Sequence, residues 1–288
     1  MKNKANKSDL SGMTAVARVL IYILLIVLVI LSVLPFLVMF VNATRSTPEI
    51  FQRALSLIPS RYLLDNYGHI SVPGGFDAMT GFRNSMIISA GATSLAIYFS
   101  SLTAYALVAY DWKLKNAFFT FIMCVLMIPT TVLGVGFYQY MWRVGLNNNF
   151  LPLIIPAMAS PIIVFFMRQY LIATLSMEMV EAARIDGSKE FMTFNRIVLP
   201  IMKPALATQA IFAFVASWNA LFIPSIILIR RELFTMPIMV TLLQGDIYRT
   251  ELGAVYMGLS LTVLPLFVVY FILSKYIIAG VALGGVKE

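Results

Sequence analysis

The stretch SMEMVEAARIDGSKEFMTFNRIVLPIMKP, residues 176–204, decides how this chain is read. It is the one long run in which charged residues, small residues, a glycine and two prolines occur together, and on both sides the sequence is almost unbroken hydrocarbon. Outward from it lie six apolar runs, at 19–41, 84–109, 118–142, 151–167, 205–229 and 253–274. Each can cross a hydrocarbon layer of about 30 Å at about 1.5 Å per residue. Backbone polar groups in lipid must be satisfied within their own segment, so the expectation is an all-α membrane protein with six transmembrane helices. The fourth run is the shortest and carries Pro152, Pro156 and Pro161, which predicts a kinked helix whose freed carbonyls face protein.

Composition agrees. Of 288 residues, 60% are hydrophobic and only 12% charged, where soluble domains carry about a quarter. The net charge of +8 does not indicate nucleic acid, because the basic residues are scattered in short segments between apolar runs. Alternating connections place 1–18, 110–117, 168–204 and 275–288 on one side of the membrane, and 42–83, 143–150 and 230–252 on the other. The first side holds 13 of the 21 Lys and Arg residues, which puts both termini and the opening stretch in the cytoplasm. The expected organisation is a cytoplasmic segment at 1–18, a transmembrane domain at 19–274 and a cytoplasmic tail at 275–288. Lys2, Lys4, Lys7 and Arg18 precede an apolar run too long for a signal-peptide core, so it is read as the first span.

The connections and single residues give further expectations. The 42–83 loop is polar, with turn signals at Thr47-Pro48, Asn66-Tyr67-Gly68 and Pro73-Gly74-Gly75, and is expected to be ordered but small. The 230–252 loop opens with Arg230, Arg231 and Glu232 and stays apolar through Leu243, which predicts that it packs on something. Cys124 stands alone, excluding an intrachain disulfide or a cysteine-based metal site, and is read as a small buried filler. His69 is read as a solvated loop residue, and no metal site is expected.

None of the six runs contains Asp, Glu, Lys, Arg or His. Ion-coupled carriers place ionisable residues inside the bundle, so energy for any uphill transport is expected to enter from outside the bilayer. The chain has no phosphate loop to supply it: Gly187-Ser188-Lys189 lacks both the preceding glycine and the following Ser or Thr. Zinc-protease and serine-hydrolase motifs are absent too, so the chain is read as no enzyme and as holding no cofactor.

Within the opening stretch, Ser176 is placed to cap a short helix with Glu178 near its start. Met179, Ala182 and Ala183 fall on one face, and Glu181 and Arg184 are spaced to interact. Gly187 permits a left-handed turn. Ser188 then starts a second short helix with Glu190 in its first turn and Phe191, Phe194 and Ile197 on one face. Two short helices at a sharp turn fit a knob docking in another protein's groove, and equally a hairpin lying on the bilayer surface.

The segment EAARIDGSKEFMTFNRIVLPIMKPALA resembles the cytoplasmic signature of ABC importer permeases: E-A-A, three residues, G, nine residues and I-x-L-P. Glu181, Ala182, Ala183, Gly187, Ile197, Leu199 and Pro200 occupy the matching positions. Phe82-Arg83-Asn84-Ser85, residues 101–107, Arg168-Gln169-Tyr170, Ser217-Trp218-Asn219 and the glycine-rich 278–287 resemble one branch, the permeases for oligosaccharides and glycerol phosphate typified by the maltose importer, and in it the shorter permease of the pair. The sequence departs at Ala220-Leu221, where that branch often has an acidic residue and an aromatic.

The resemblance implies a type I ABC importer permease fold with a coupling helix between helices 4 and 5. It further implies a second homologous permease, two cytoplasmic ABC ATPase subunits that bind the ATP and Mg, and an extracytoplasmic solute-binding protein. The location implied is a bacterial or archaeal inner membrane. The solute would be a sugar, an oligosaccharide or a glycerol-phosphate-like molecule, carried by alternating access. The loop at 230–252 would face the binding protein and the tail would touch the ATPases. Rival readings are a secondary carrier and a membrane scaffold or sensor.

Trp218 and Asn219 in the fifth run are candidate solute contacts, since aromatic faces suit sugar rings and an amide at mid-bilayer needs a partner. The alternative is that Trp218 packs and Asn219 bonds to a neighbouring helix. Tyr138 and Gln139 in the third run are weaker candidates, since their place near its outer end better fits an interfacial aromatic belt. Gly134 and Gly136, with Ser100, Ser101 and Ala104, are read as close helix packing.

Overall fold

The computed structural model describes residues 15–71, 76–243 and 251–284, and among them there is no strand. Helix α1 is Ala15–Asn42, followed by two short helices, α2 (Thr47–Gln52) and α3 (Leu63–Ile70). Next come α4 (Ala78–Ala109), α5 (Lys115–Leu126), α6 (Thr130–Arg143) and α7 (Leu151–Ile154), which passes through a 3-10 turn at Ile155–Met158 into α8 (Pro161–Thr174). The opening stretch of the sequence folds as α9 (Met177–Ile185) and α10 (Glu190–Thr193), a π turn at Phe194–Val198, and α11 (Leu199–Ile201). Then follow α12 (Lys203–Trp218), α13 (Phe222–Ile227), a 3-10 turn at Arg231–Leu233, α14 (Met236–Leu243) and α15 (Leu252–Gly284).

Two compact units result. The first takes α1 to α3 with the start of α15 up to Ser260; the second takes α4 to α14 with α15 from Leu261. In the first unit α1 is apolar on every face and exposed along most of its length, as a helix in hydrocarbon must be. Beyond its end a buried polar network orders the loop. The Arg45 guanidinium donates to Asn42 Oδ1 and to the Arg53 carbonyl, and the Asn66 amide donates to the carbonyls of Ala43 and Arg45. Gly253 lies so close to Arg45 and Asn66 that a β-carbon there would collide with both. Two turn signals in this loop are corrected: Thr47-Pro48 opens α2, with proline in the first turn where its missing N–H costs nothing, and Asn66-Tyr67-Gly68 lies inside α3. His69, exposed, is in the last turn of α3, and Pro73-Gly74-Gly75 lies outside the described residues.

In the second unit α4 is the axis. Asp77 caps it, its carboxylate accepting the Thr80 N–H at 3.0 Å, and its 32 residues extend about 48 Å at 1.5 Å per residue. It packs along both α8 and α12. Small residues permit that approach: Ser100, Ser101 and Ala104 are fully buried, and Ser100 Oγ donates to the Ser160 carbonyl at 3.4 Å, just before Pro161. The fourth run is interrupted at Ala159 and Ser160, between the 3-10 turn and α8, and the Ser160 carbonyl at the break is turned to protein. Gly134 also packs closely, a β-carbon there coming within 2.5 Å of Phe222, whereas Gly136 faces open space.

Among the described residues, four helical segments are long and apolar enough to cross a membrane: Ala15–Asn42, Ala78–Ala109, Leu151–Thr174 and Leu252–Ile272. A fifth arises if Glu190–Ile201 and Lys203–Trp218, bent by 82°, count as one. The remaining expected run, 118–142, is two helices, because Pro129 interrupts the ladder between α5 and α6. Cys124 is exposed on α5 rather than buried; a helix face turned to hydrocarbon carries small apolar residues as readily as a core does.

Candidate functional site

The 176–204 stretch is an ordered hairpin. Its first arm, α9, ends in a motif closed by Gly187 at φ +77°. The Gly187 N–H donates to the Arg184 carbonyl at 3.0 Å and the Ser188 N–H to the Ala183 carbonyl at 2.9 Å, so the last carbonyls of α9 are satisfied by the turn itself. Gly187 thus has the backbone conformation expected from the sequence.

Four local expectations are corrected. Met179, Ala182 and Ala183 do not share a face: Val180 and Ala183 turn inward, while Met179, Ala182 and Ile185 point outward, Ile185 being 87% exposed. Arg184 pairs with Glu190 across the turn rather than with Glu181, its Nε lying 2.7 Å from Glu190 Oε1. The second helix is capped at Lys189, with the Ser188 hydroxyl bound to Thr193 Oγ1 at 2.9 Å. Its π turn shifts the buried face to Phe194, Val198 and Met202, leaving Phe191 exposed and Ile197 half-buried. Of the other signature residues, Glu181 and Pro200 are exposed and Leu199 is half-buried.

The inward face joins the main core, in which Val180, Phe194, Val198 and Met202 meet Ala104 and Tyr105 of α4 and Met167 and Leu171 of α8. Polar contacts add to it. Glu190 Oε2 accepts the Tyr110 hydroxyl at 2.6 Å and the Tyr105 hydroxyl at 3.2 Å, and the Arg184 guanidinium lies 5.4 Å from the centre of the Tyr110 ring. The hydrogen bond from Arg184, then that from Tyr110, holds the Glu190 carboxyl below the usual carboxylate range; burial, then the Glu190 hydrogen bond, pushes the Tyr110 phenol up. Tyr98 donates to Asn195 Oδ1 at 3.2 Å. None of Tyr98, Tyr105, Tyr110 and Glu190 was singled out as a site residue from sequence. The signal available was only that tyrosines interrupt an apolar run at 98, 105 and 110.

At the opposite end of α4 a second cluster forms. The Asn84 amide donates to the carbonyls of Glu232 and Phe234 at 2.8 and 3.0 Å, and Ser85 Oγ accepts the N–H of Met236, the first residue of α14. Met236, Ile238, Met239 and Val240 are buried, so the 230–243 part of the loop packs as expected; 244–250 lies outside the described residues. Asn148 ties in the 143–150 loop, its Oδ1 accepting the N–H groups of Ile229 and Arg230 at 2.7 and 2.8 Å.

The candidate solute contacts are spread out. Trp218 is 1% exposed, stacks on Phe214 with centroids 5.6 Å apart, meets Phe82 edge-on at 5.9 Å, and donates to the Thr262 carbonyl at 3.1 Å. Asn219 is exposed at the break between α12 and α13. Tyr138 is half-buried on α6, 6.3 Å from Trp142, and Gln139 is exposed. Among the described residues no group of three or more His, Cys, Asp or Glu side chains could hold a metal ion.

These features define a multi-pass helical membrane protein whose long axial helix carries an ordered hairpin at one end and a clamped loop at the other. The chain belongs to the family described as the binding-protein-dependent transport system inner membrane component, whose pattern it matches over residues 96–282. It is 37% identical over 254 residues to the arabinooligosaccharides transport system permease protein of Halalkalibacterium halodurans, covering 87% of this chain and 90% of that one. To the sn-glycerol-3-phosphate transport system permease protein of Pectobacterium atrosepticum it is 32% identical over 249 residues, 84% and 88% of the two chains. Its fold matches a chain of a bacterial ABC transporter involved in the import of the acidic polysaccharide alginate, with a TM-score of 0.76 at 20% identity over 91% of this chain and 96% of that one.

Proposed function

We propose that this chain is the transmembrane permease of an ATP-binding-cassette importer that carries a carbohydrate or sugar-phosphate-like solute into a bacterial cell. Membership in a binding-protein-dependent transport family and likeness to permeases named for arabinooligosaccharides and sn-glycerol-3-phosphate support this reading. The observation that carries the mechanism is the α9 hairpin, which presents Met179, Ala182 and Ile185 outward from a base locked into the bundle core.

That face suits a protein groove better than a bilayer surface. Glu178, Glu181 and Asp186 are all exposed around it, and anionic headgroups repel such a rim, whereas surface-lying helices are basic. The hairpin is accordingly the coupling element, with Glu181, Ala182 and Gly187 at the docking turn, Ala183 seating it on the core, and Ile197, Leu199 and Pro200 its return to the bundle. Two ATPase subunits hold the ATP and Mg and push on this hairpin and its counterpart in a second, homologous permease. ATP binding then biases a two-state bundle between inward- and outward-facing forms.

The chain crosses six times, the third crossing being α5 with α6 and the fifth α12 with α13. Two contacts support this alternation. Glu190 meets Tyr110, joining the connections 110–117 and 168–204, while Asn148 meets Ile229 and Arg230, joining 143–150 to 230–252. The first pair lies in the cytoplasm with both termini; the clamped loop lies outside, where it meets the solute-binding protein. Asn219 and Tyr138 remain the side chains best placed to meet solute, with Trp218 setting the shape of the wall behind them.

The test is uptake by the reconstituted importer. Ala182→Asp and Gly187→Asp should cut solute moved per ATP hydrolysed by about tenfold or more, as expected when about 1.4 kcal/mol of docking is lost. Normal uptake by both variants would overturn the coupling role.

A further inference from the structure

The outward face of the hairpin receives a push, and two routes lead from it into the membrane. One is the backbone, which continues through the π turn and α11 into α12, but does so around an 82° bend between Pro200 and Pro204. A bend of that size, with a π turn before it and a proline on either side, is a joint. The other route is lateral, from Glu190 to α4.

Glu190 is the first residue of the second arm, and both of its carboxylate oxygens are engaged. Oε1 is bonded to Arg184 of the first arm, and Oε2 accepts from Tyr105, in the last two turns of α4, and from Tyr110, at its C-terminal cap. The same carboxylate therefore closes the hairpin on itself and ties it to α4. Charge-assisted hydrogen bonds are about twice as strong as neutral ones and narrowly directional, so they resist shear that apolar packing tolerates. Rings reinforce the joint: Phe194 lies 5.6 Å from Tyr105 and 5.8 Å from Tyr98, and Tyr98 reaches Asn195. Contacts to α4 thus run from Tyr98 to Tyr110, about 18 Å along the helix at 1.5 Å per residue.

We propose that Glu190 is a positioning residue for transport: with Arg184, Tyr105 and Tyr110 it latches both arms of the hairpin to α4, so that a displacement of the hairpin is delivered to α4 directly. The proposal rests on the reading of the hairpin as the ATPase-coupling element. Its consequence is that α4, which runs from this latch to the Asn84 clamp on the opposite loop, carries the signal from the ATPase side to the solute side as one rod.

The experiment uses the whole importer in proteoliposomes and reads solute moved per ATP hydrolysed, with the amount of assembled complex measured by gel filtration. The variants are Glu190→Gln, the shape-preserving pair Tyr105→Phe with Tyr110→Phe, all three changes together, and Ala182→Asp. Glu190→Gln and the tyrosine pair should each lower the ratio by about threefold or more. The triple variant should be no worse than Glu190→Gln alone, because all remove one shared network. A residue that only stabilised the fold would reduce the amount of complex and leave the ratio unchanged. If Glu190→Gln fails to assemble, the tyrosine pair, which keeps every ring in place, decides. A wild-type ratio in the latch variants with a lowered ratio in Ala182→Asp overturns the latch and leaves the docking role standing. An unchanged ratio in Ala182→Asp as well removes the docking role itself.

Discussion

Trp218 Nε1 donates to the Thr262 carbonyl at 3.1 Å, three residues before Pro265 in α15. Proline has no N–H for the carbonyl four residues earlier, that of Leu261, so the helix ladder opens one residue before the carbonyl the indole reaches. The indole N–H bonds beside that opening while its ring stacks on Phe214. Trp218→Phe keeps the stacking and loses the N–H, costing about 1 kcal/mol of stability, whereas Trp218→Ala leaves a cavity worth about 3–5 kcal/mol. Thermal melting in detergent should fall in that order, with the KM for solute unchanged in Trp218→Phe. A raised KM with normal melting would instead return Trp218 to the solute wall.

Asn84 acts as a two-pronged donor to the carbonyls of Glu232 and Phe234. Asn84→Ala leaves two carbonyls unpaired, at about 1–3 kcal/mol each where they are buried. Asn84→Asp does worse, because it aims a carboxylate at the same two acceptors. Limited proteolysis of the 230–236 segment should accelerate from wild type to Ala to Asp, and equal rates in all three would mean that the clamp does not hold the loop.

Much of this was legible in the sequence because hydrocarbon dominates it. Four of the six expected spans followed from apolar length, the interruption within 151–167 from its prolines, and the hairpin's turn from Gly187. What failed depended on where the chain goes after a turn. Arg184 sits three residues from Glu181, the spacing of a helical ion pair, yet the left-handed residue at 187 folds the chain back and brings Glu190 within 2.7 Å. Likewise a 3.6-residue period places Phe191, Phe194 and Ile197 together, but the π turn at Phe194–Val198 changes the period and buries Val198 instead. Asn84 and Tyr105 fall in stretches that resemble the permease branch, but nothing in their local spacing tells which groups they and the other two tyrosines bond; their partners lie about 80 to 150 residues away.

Gly187 is needed for its backbone alone. A β-carbon there would meet nothing within 4 Å, so the cost of any side chain is that of the left-handed conformation, about 1–2 kcal/mol. Asparagine tolerates that region and β-branched residues do not. Uptake should therefore fall in the order Gly, Asn, Ala, Val at position 187, and melting temperature with it. If Gly187→Val were indistinguishable from wild type in both, the turn would be no determinant of coupling.

The pH dependence of the latch has a definite sign. Glu190 faces Arg184 and the phenols of Tyr105 and Tyr110, and its carboxyl is held below the ordinary range by Arg184 first and Tyr110 second. Between its folded and unfolded pKa values the unfolded chain binds more protons. The stability it contributes is therefore fully present above the unfolded value of about 4.3 and is lost as pH falls through the folded one. With the side chain 42% exposed, solvent screening keeps the contribution small. The melting difference between wild type and Glu190→Gln should thus stay constant from pH 8 to about pH 5 and shrink only below about pH 4. Wild type approaches the variant there because protonation removes the charge that Arg184 and the two phenols are bonded to. A difference that disappeared between pH 8 and pH 6, or that widened on acidification, would mean that the carboxylate charge is not what holds the hairpin to α4.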